Sequence, residues 1–72
     1  MKKQDLIENG SIEFESETDT MTVTHIPKEQ RRGWMRPFMI MLNCKCVGDF
    51  KTFKGLENRV NQLIEQRNLT LA

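Results

Sequence analysis

Arg36-Pro37-Phe38-Met39-Ile40-Met41-Leu42-Asn43-Cys44-Lys45-Cys46-Val47 is the stretch on which the fold turns. Phe38 to Leu42 is the longest apolar run of the chain, and a run that is apolar on both faces reads as a central strand. The strand is expected from about Arg36 to Val47, becoming half polar beyond Asn43. Five apolar residues are far too few to span a bilayer, so no membrane segment is expected.

Upstream of this run, Thr20 to Ile26 places Met21, Val23 and His25 on one face and Thr20, Thr22 and Thr24 on the other. Period-two alternation with β-branched enrichment predicts a second strand. Ile12 and Phe14 alternate with Glu13 and Glu15 in the same way, and Ser16 to Asp19 reads as the turn of a hairpin joining the two. Pro27 ends the second strand, because proline has no N–H for a sheet ladder. Residues 1–10 read as an N-terminal segment, either a short helix stopped by Asn9-Gly10 or disordered.

Downstream, Gly48-Asp49 reads as a turn. Thr52 then suits a helix N-cap, and Leu56, Val60, Leu63 and Ile64 fall at i, i+4, i+7 and i+8 on one apolar stripe. A helix is expected over residues 52–68, and Leu69 and Leu71 alternate as a short strand would. The fold class that satisfies these elements is α+β. It is a small two-layer domain, a three-stranded antiparallel sheet over 11–47 packed against one C-terminal helix, the whole of residues 1–72 forming a single domain. Its two sheet edges are open to pairing with a second copy or with a partner protein.

The strand-to-helix passage Gly48-Asp49-Phe50-Lys51-Thr52-Phe53-Lys54, with the amphipathic helix after it, resembles that of the small DNA-binding domains at the N-termini of phage-type integrases. That resemblance implies a three-stranded sheet that reads DNA. The acidic outer face of the first hairpin departs from it.

Charge is distributed unevenly along the chain. Residues 4–27 hold six acids and no Lys or Arg, whereas residues 28–59 hold eight bases and three acids, inside an overall charge of +1. Such segregation predicts one acidic and one basic surface, which bears on partners more than on fold. A dedicated nucleic-acid module carries a stronger basic excess, because affinity for phosphates rises with the number of counterions released.

Catalytic and metal signatures are weak. His25, Cys44 and Cys46 are the only soft ligands, and Cys-x-Cys lacks the paired Cys-x-x-Cys spacing of a structural zinc site. Both thiols are expected to be free, which with the polar start Met1-Lys2-Lys3-Gln4-Asp5 points to a reducing, cytoplasmic setting. No orienting third residue can be named for a Cys–His nucleophile, and Glu13, Glu15, Glu17 and Asp19 read as hydrated surface carboxylates. No enzyme activity, no metal and no cofactor are therefore expected.

The segment Lys28 to Arg36 carries the functional reading. Arg31, Arg32 and Arg36 surround Trp34, and forked guanidinium donors beside an indole have the composition of a protein-binding hot spot facing an acidic patch. An indole folded back as the lid of a small core is the competing reading of the same residue. The leading expectation is a small non-catalytic protein-interaction module, an inhibitor or adaptor, able to self-associate as a homodimer or head to tail through Glu13, Glu15 and Glu17. The alternative is a DNA-binding module in which Lys28, Lys45, Lys51, Lys54 and Arg59 meet phosphates while Trp34 stacks.

Overall fold

The computed structural model describes all 72 residues. In chain order it contains α1 (Lys3–Asn9), β1 (Ser11–Glu15), β2 (Thr20–His25), a 3-10 turn (Lys28–Gln30), β3 (Phe38–Leu42), β4 (Lys45–Phe50), α2 (Phe53–Arg67) and β5 (Thr70–Leu71). The strands form one antiparallel sheet in the order β4-β3-β2-β1-β5. The class is α+β with a C-terminal helix on an antiparallel sheet, as the sequence predicts, but the sheet has five strands rather than three and carries an additional N-terminal helix.

The difference lies in the opening stretch. What reads as one strand from Arg36 to Val47 is a hairpin, β3 and β4 joined by the two residues Asn43 and Cys44. Both take positive φ, 51° and 69°. Two consecutive left-handed residues are what a tight hairpin turn requires, since only that twist matches the strands it joins. Sequence reasoning looks for Asn-Gly at such a turn, and Asn-Cys conceals it. The sheet's middle strand is consequently β2, with β3 beside it.

Gly48-Asp49 is also no turn. Both residues lie inside β4, where Val47 is an extra residue between the pairs Met41↔Cys46 and Ile40↔Gly48. Such a bulge bends its strand and raises the local twist. A Cβ at Gly48 would stand 3.0 Å from Cζ of Phe50, so the ring folds over the space that glycine leaves.

One face of the sheet makes the core. Phe14, Met21, Val23, Phe38, Ile40 and Leu42 point to it, and Leu56, Val60 and Leu63 of α2 cover it, with Leu6 of α1 and Leu69 in the same cluster. The stripe read from the sequence is thus the buried face of α2. Ile64, its fourth member, packs half-buried at the margin. Thr52 caps the helix by accepting a hydrogen bond from the Gly55 N–H at 3.2 Å, which satisfies one of the otherwise unpaired donors of the first turn. Asn68 ends it in the left-handed conformation, φ 54°, returning its N–H to the Ile64 carbonyl. Leu69 is thereby directed into the core, and Thr70–Leu71 pair with β1 as the short edge strand β5.

The other face has no helix over it. Register places Ser11, Thr24, Met39 and Asp49 in one row across it and Glu13, Thr22, Met41 and Cys46 in the next. The two methionines are half-buried there, between threonines and exposed polar residues.

Candidate functional site

Alternation of strand direction gathers the connections at two ends of the sheet. At the first end are the β2–β3 loop, the link from β4 to α2, and the α1–β1 junction, since His25, Phe38 and Phe50 are successive register partners. The core here is aromatic: Phe38 stands 5.4 Å from the His25 ring and 6.0 Å, edge to face, from Phe53.

The loop of residues 26–37 is closed at its foot by a hydrogen bond from the Ile26 N–H to the Pro37 carbonyl, 2.8 Å. Its first half is the 3-10 turn, and its tip is a four-residue turn in which the Met35 N–H reaches the Arg32 carbonyl at 2.9 Å. The Met35 sulfur accepts from the Arg32 N–H at 3.4 Å and seals the turn from inside. Gly33 and Trp34 occupy the two middle positions of that turn.

Trp34 is 81% exposed, the most exposed of the large apolar residues. The reading of Trp34 as a core lid is thereby overturned: eleven other apolar residues complete the core without it. Arg32 and Arg36 are exposed on either side. Arg31 differs, being half-buried, with an Nε–H that is shielded from water and has no acceptor; Nδ1 of His25 is unpartnered in the same way. A buried donor left unmade costs about 1–3 kcal/mol.

Lys28, Lys51 and Lys54 share this end with the three arginines, while Glu29, Asp49 and Glu57 of the same segment lie among them. Only Lys54 has an ion pair here, to Glu57 at 4.0 Å. The remaining DNA-contact candidates do not join the group. Lys45 follows the Asn43–Cys44 turn at the far end of the sheet, and Arg59 lies along α2, donating to Gln62 at 3.2 Å.

The second end is organised around Asp19, which sequence reading passes over as a turn residue. Its carboxylate accepts from the Asn43 amide at 2.7 Å, from the Thr18 hydroxyl at 3.2 Å and from the Arg67 guanidinium at 3.3 Å. Asn43 in turn accepts from the Thr20 N–H at 2.9 Å, so one amide links two hairpin turns. The Asn43 hydrogen bond, above all, holds the Asp19 carboxyl below its ordinary range; partial burial opposes this, and Thr18 and Arg67 add to it. The signal that could have revealed the network is Asn43 itself, since asparagine tolerates a left-handed conformation and carries both donor and acceptor.

Beside the network is an open concavity of about 600 Å³, with Glu15, Ser16, Glu17 and Thr18 on one wall and Arg67, Asn68 and Thr70 on the other. Arg67 is paired with Asp19, whereas Glu15 and Glu17 are exposed and take part in no ion pair. Glu13 stands apart, on the open face of the sheet.

His25, Cys44 and Cys46 do not converge. His25 is at the loop end, Cys44 in the turn at the opposite end, and Cys46 on the open face opposite Met41. Both thiols are free and exposed rather than packing residues, and no three His, Cys, Asp or Glu side chains are grouped as a metal would need. No helix is long and apolar enough to cross a membrane. Comparison of the chain with protein-family models, with curated proteins and with solved structures finds no match.

Proposed function

We propose that this chain is a small non-catalytic interaction module, an inhibitor or adaptor that grips an acidic patch on another protein with Arg31, Arg32, Trp34 and Arg36. The observation that carries this reading is the 81% exposure of Trp34 at the tip of a loop closed at its foot. Holding an indole in water forgoes a burial worth on the order of 1.5–3 kcal/mol for a large apolar side chain, in a domain that has little core to spare. Contact with a partner recovers that term. Flanking arginines add forked, charge-assisted hydrogen bonds to carboxylates.

The DNA-binding alternative draws on the same loop but needs a continuous basic track. Lys45 lies at the end of the sheet that also carries Glu15, Glu17 and Asp19, so the basic residues do not form one. The deciding experiment is capture from the native cell by wild type and by Trp34→Ala/Arg32→Ala, with duplex DNA tested for a mobility shift at low salt. A protein held by wild type and lost by the still-folded double variant supports the module. A DNA shift that fades steeply with salt, with no protein captured, replaces it by the alternative.

A further inference from the structure

The two ends of the sheet differ in the sign of their excess charge, basic around the Trp34 loop and acidic around Glu15 and Glu17. Of all the acids and bases, only Lys54–Glu57 and Arg67–Asp19 form ion pairs. Arg32, Arg36 and Lys51 are left exposed at one end, with Glu29 and Asp49 near them, and Glu15 and Glu17 at the other, where Lys45 is also exposed. Strands of five or six residues hold these ends roughly 17–20 Å apart. Screening in physiological salt acts over roughly 8 Å, so the two groups scarcely sense each other within one molecule. Between molecules they are free to touch. The loop projects from one end, and the concavity at the other is open and lined only by polar side chains, so charge is what the two surfaces offer each other.

We infer that the Trp34 loop of one molecule docks into the Glu15–Glu17 concavity of a second copy, with Arg32 and Arg36 meeting the two carboxylates. The inference rests on the loop's being a contact surface, as proposed above, and names one acidic partner as the chain itself. The association is head to tail. Because the two surfaces are different and do not overlap, each bound molecule leaves a free loop at one end of the assembly and a free concavity at the other. Such a contact propagates into short chains unless its rotation closes a ring. A loop in a concavity buries less than the roughly 1,200 Å² of a stable interface, so the assembly is transient and dominated by charge.

Sedimentation of the 72-residue chain over a concentration series tests this. At low salt the mean mass should rise above 8.5 kDa with concentration, and high salt should return it to 8.5 kDa. Arg32→Glu/Arg36→Glu and Glu15→Arg/Glu17→Arg should each remain monomeric, since each destroys one surface and keeps the other. Mixed in equal amounts, they should regain association above 8.5 kDa that high salt reverses, because the intact loop of one meets the intact concavity of the other and the two reversed surfaces are again opposite in charge.

Three results overturn the inference: a wild type that stays monomeric at low salt, self-association that survives in either variant, or a mixture of the two variants that stays monomeric. Thermal melting controls for folding, and Arg32→Gln/Arg36→Gln with Glu15→Gln/Glu17→Gln replace any reversal that does not fold. In that case each neutralised pair must weaken association for the inference to stand. A monomeric wild type whose loop still captures a cellular protein removes self-docking and leaves the proposed module in place. A self-associating wild type that captures nothing else removes the separate partner instead.

Discussion

At the end of the sheet built around Asp19, a side-chain network ties separate elements together; at the end that carries Trp34, a loop closes on itself and leaves its indole and arginines to solvent. Asp19, Asn43, Thr18 and Arg67 join two hairpin turns and the end of α2 through four side-chain hydrogen bonds, counting the one Asn43 accepts from the Thr20 N–H. The Trp34 loop makes one bond across its foot and turns internally on itself. Damage to the Asp19 network should therefore appear in stability, and damage to the Trp34 loop in association.

The largest effect belongs to Asn43→Ala. It removes the amide that bridges Asp19 and Thr20 and places alanine at φ 51°. A loss of about 2 kcal/mol is expected in urea unfolding; a loss below about 0.5 kcal/mol, the scale of an ordinary surface change, would mean that the network contributes nothing. Cys44→Gly should act in the opposite direction. It converts Asn-Cys to the preferred Asn-Gly at a residue with φ 69°, and a gain of about 0.5–1 kcal/mol in the same assay is expected.

Acid should weaken the fold through the Asp19 end. Because the folded carboxyl sits below its ordinary value of 3.8, its contribution to stability is fully present above that value and is lost as pH falls through the folded pKa. Asp19→Asn should flatten this part of the acid unfolding curve, and an unchanged curve would assign the acid response to other carboxylates. The smallest effect is expected at the other end. Trp34→Ala should change stability by no more than about 0.5 kcal/mol while removing partner capture, and a larger loss would place the indole in the folding core after all. The wild-type indole, being the chain's single tryptophan and exposed, should emit like indole in water and be quenched readily by acrylamide.

Much of the fold was legible because periodicity reports burial directly. The alternations Ile12/Phe14 and Met21/Val23, and the α2 stripe with its Thr52 cap, all fall where the core needs them. The β3–β4 hairpin was hidden because its turn residues are not glycine and because Met39 and Met41 make β3 apolar on both faces, as though the sheet were covered on each side. The site was legible only as a composition. An indole beside three arginines has the same sequence whether it closes a core or stands in water, and which occurs depends on whether eleven distant residues can fill the interior without it. The Asp19 network joins residues 24 and 48 positions apart, a relation that no local pattern encodes.

The bulge at Val47 has a consequence for storage and for overexpression. β4 is the long rim of the sheet, with one side lacking a neighbour, and an even rim would invite another chain to add a rung and then another, toward fibrils. One surplus residue breaks the spacing of the outward amides midway along that rim. Deleting Val47 would even it out, and thioflavin-positive aggregates should then appear where the parent protein stays clear.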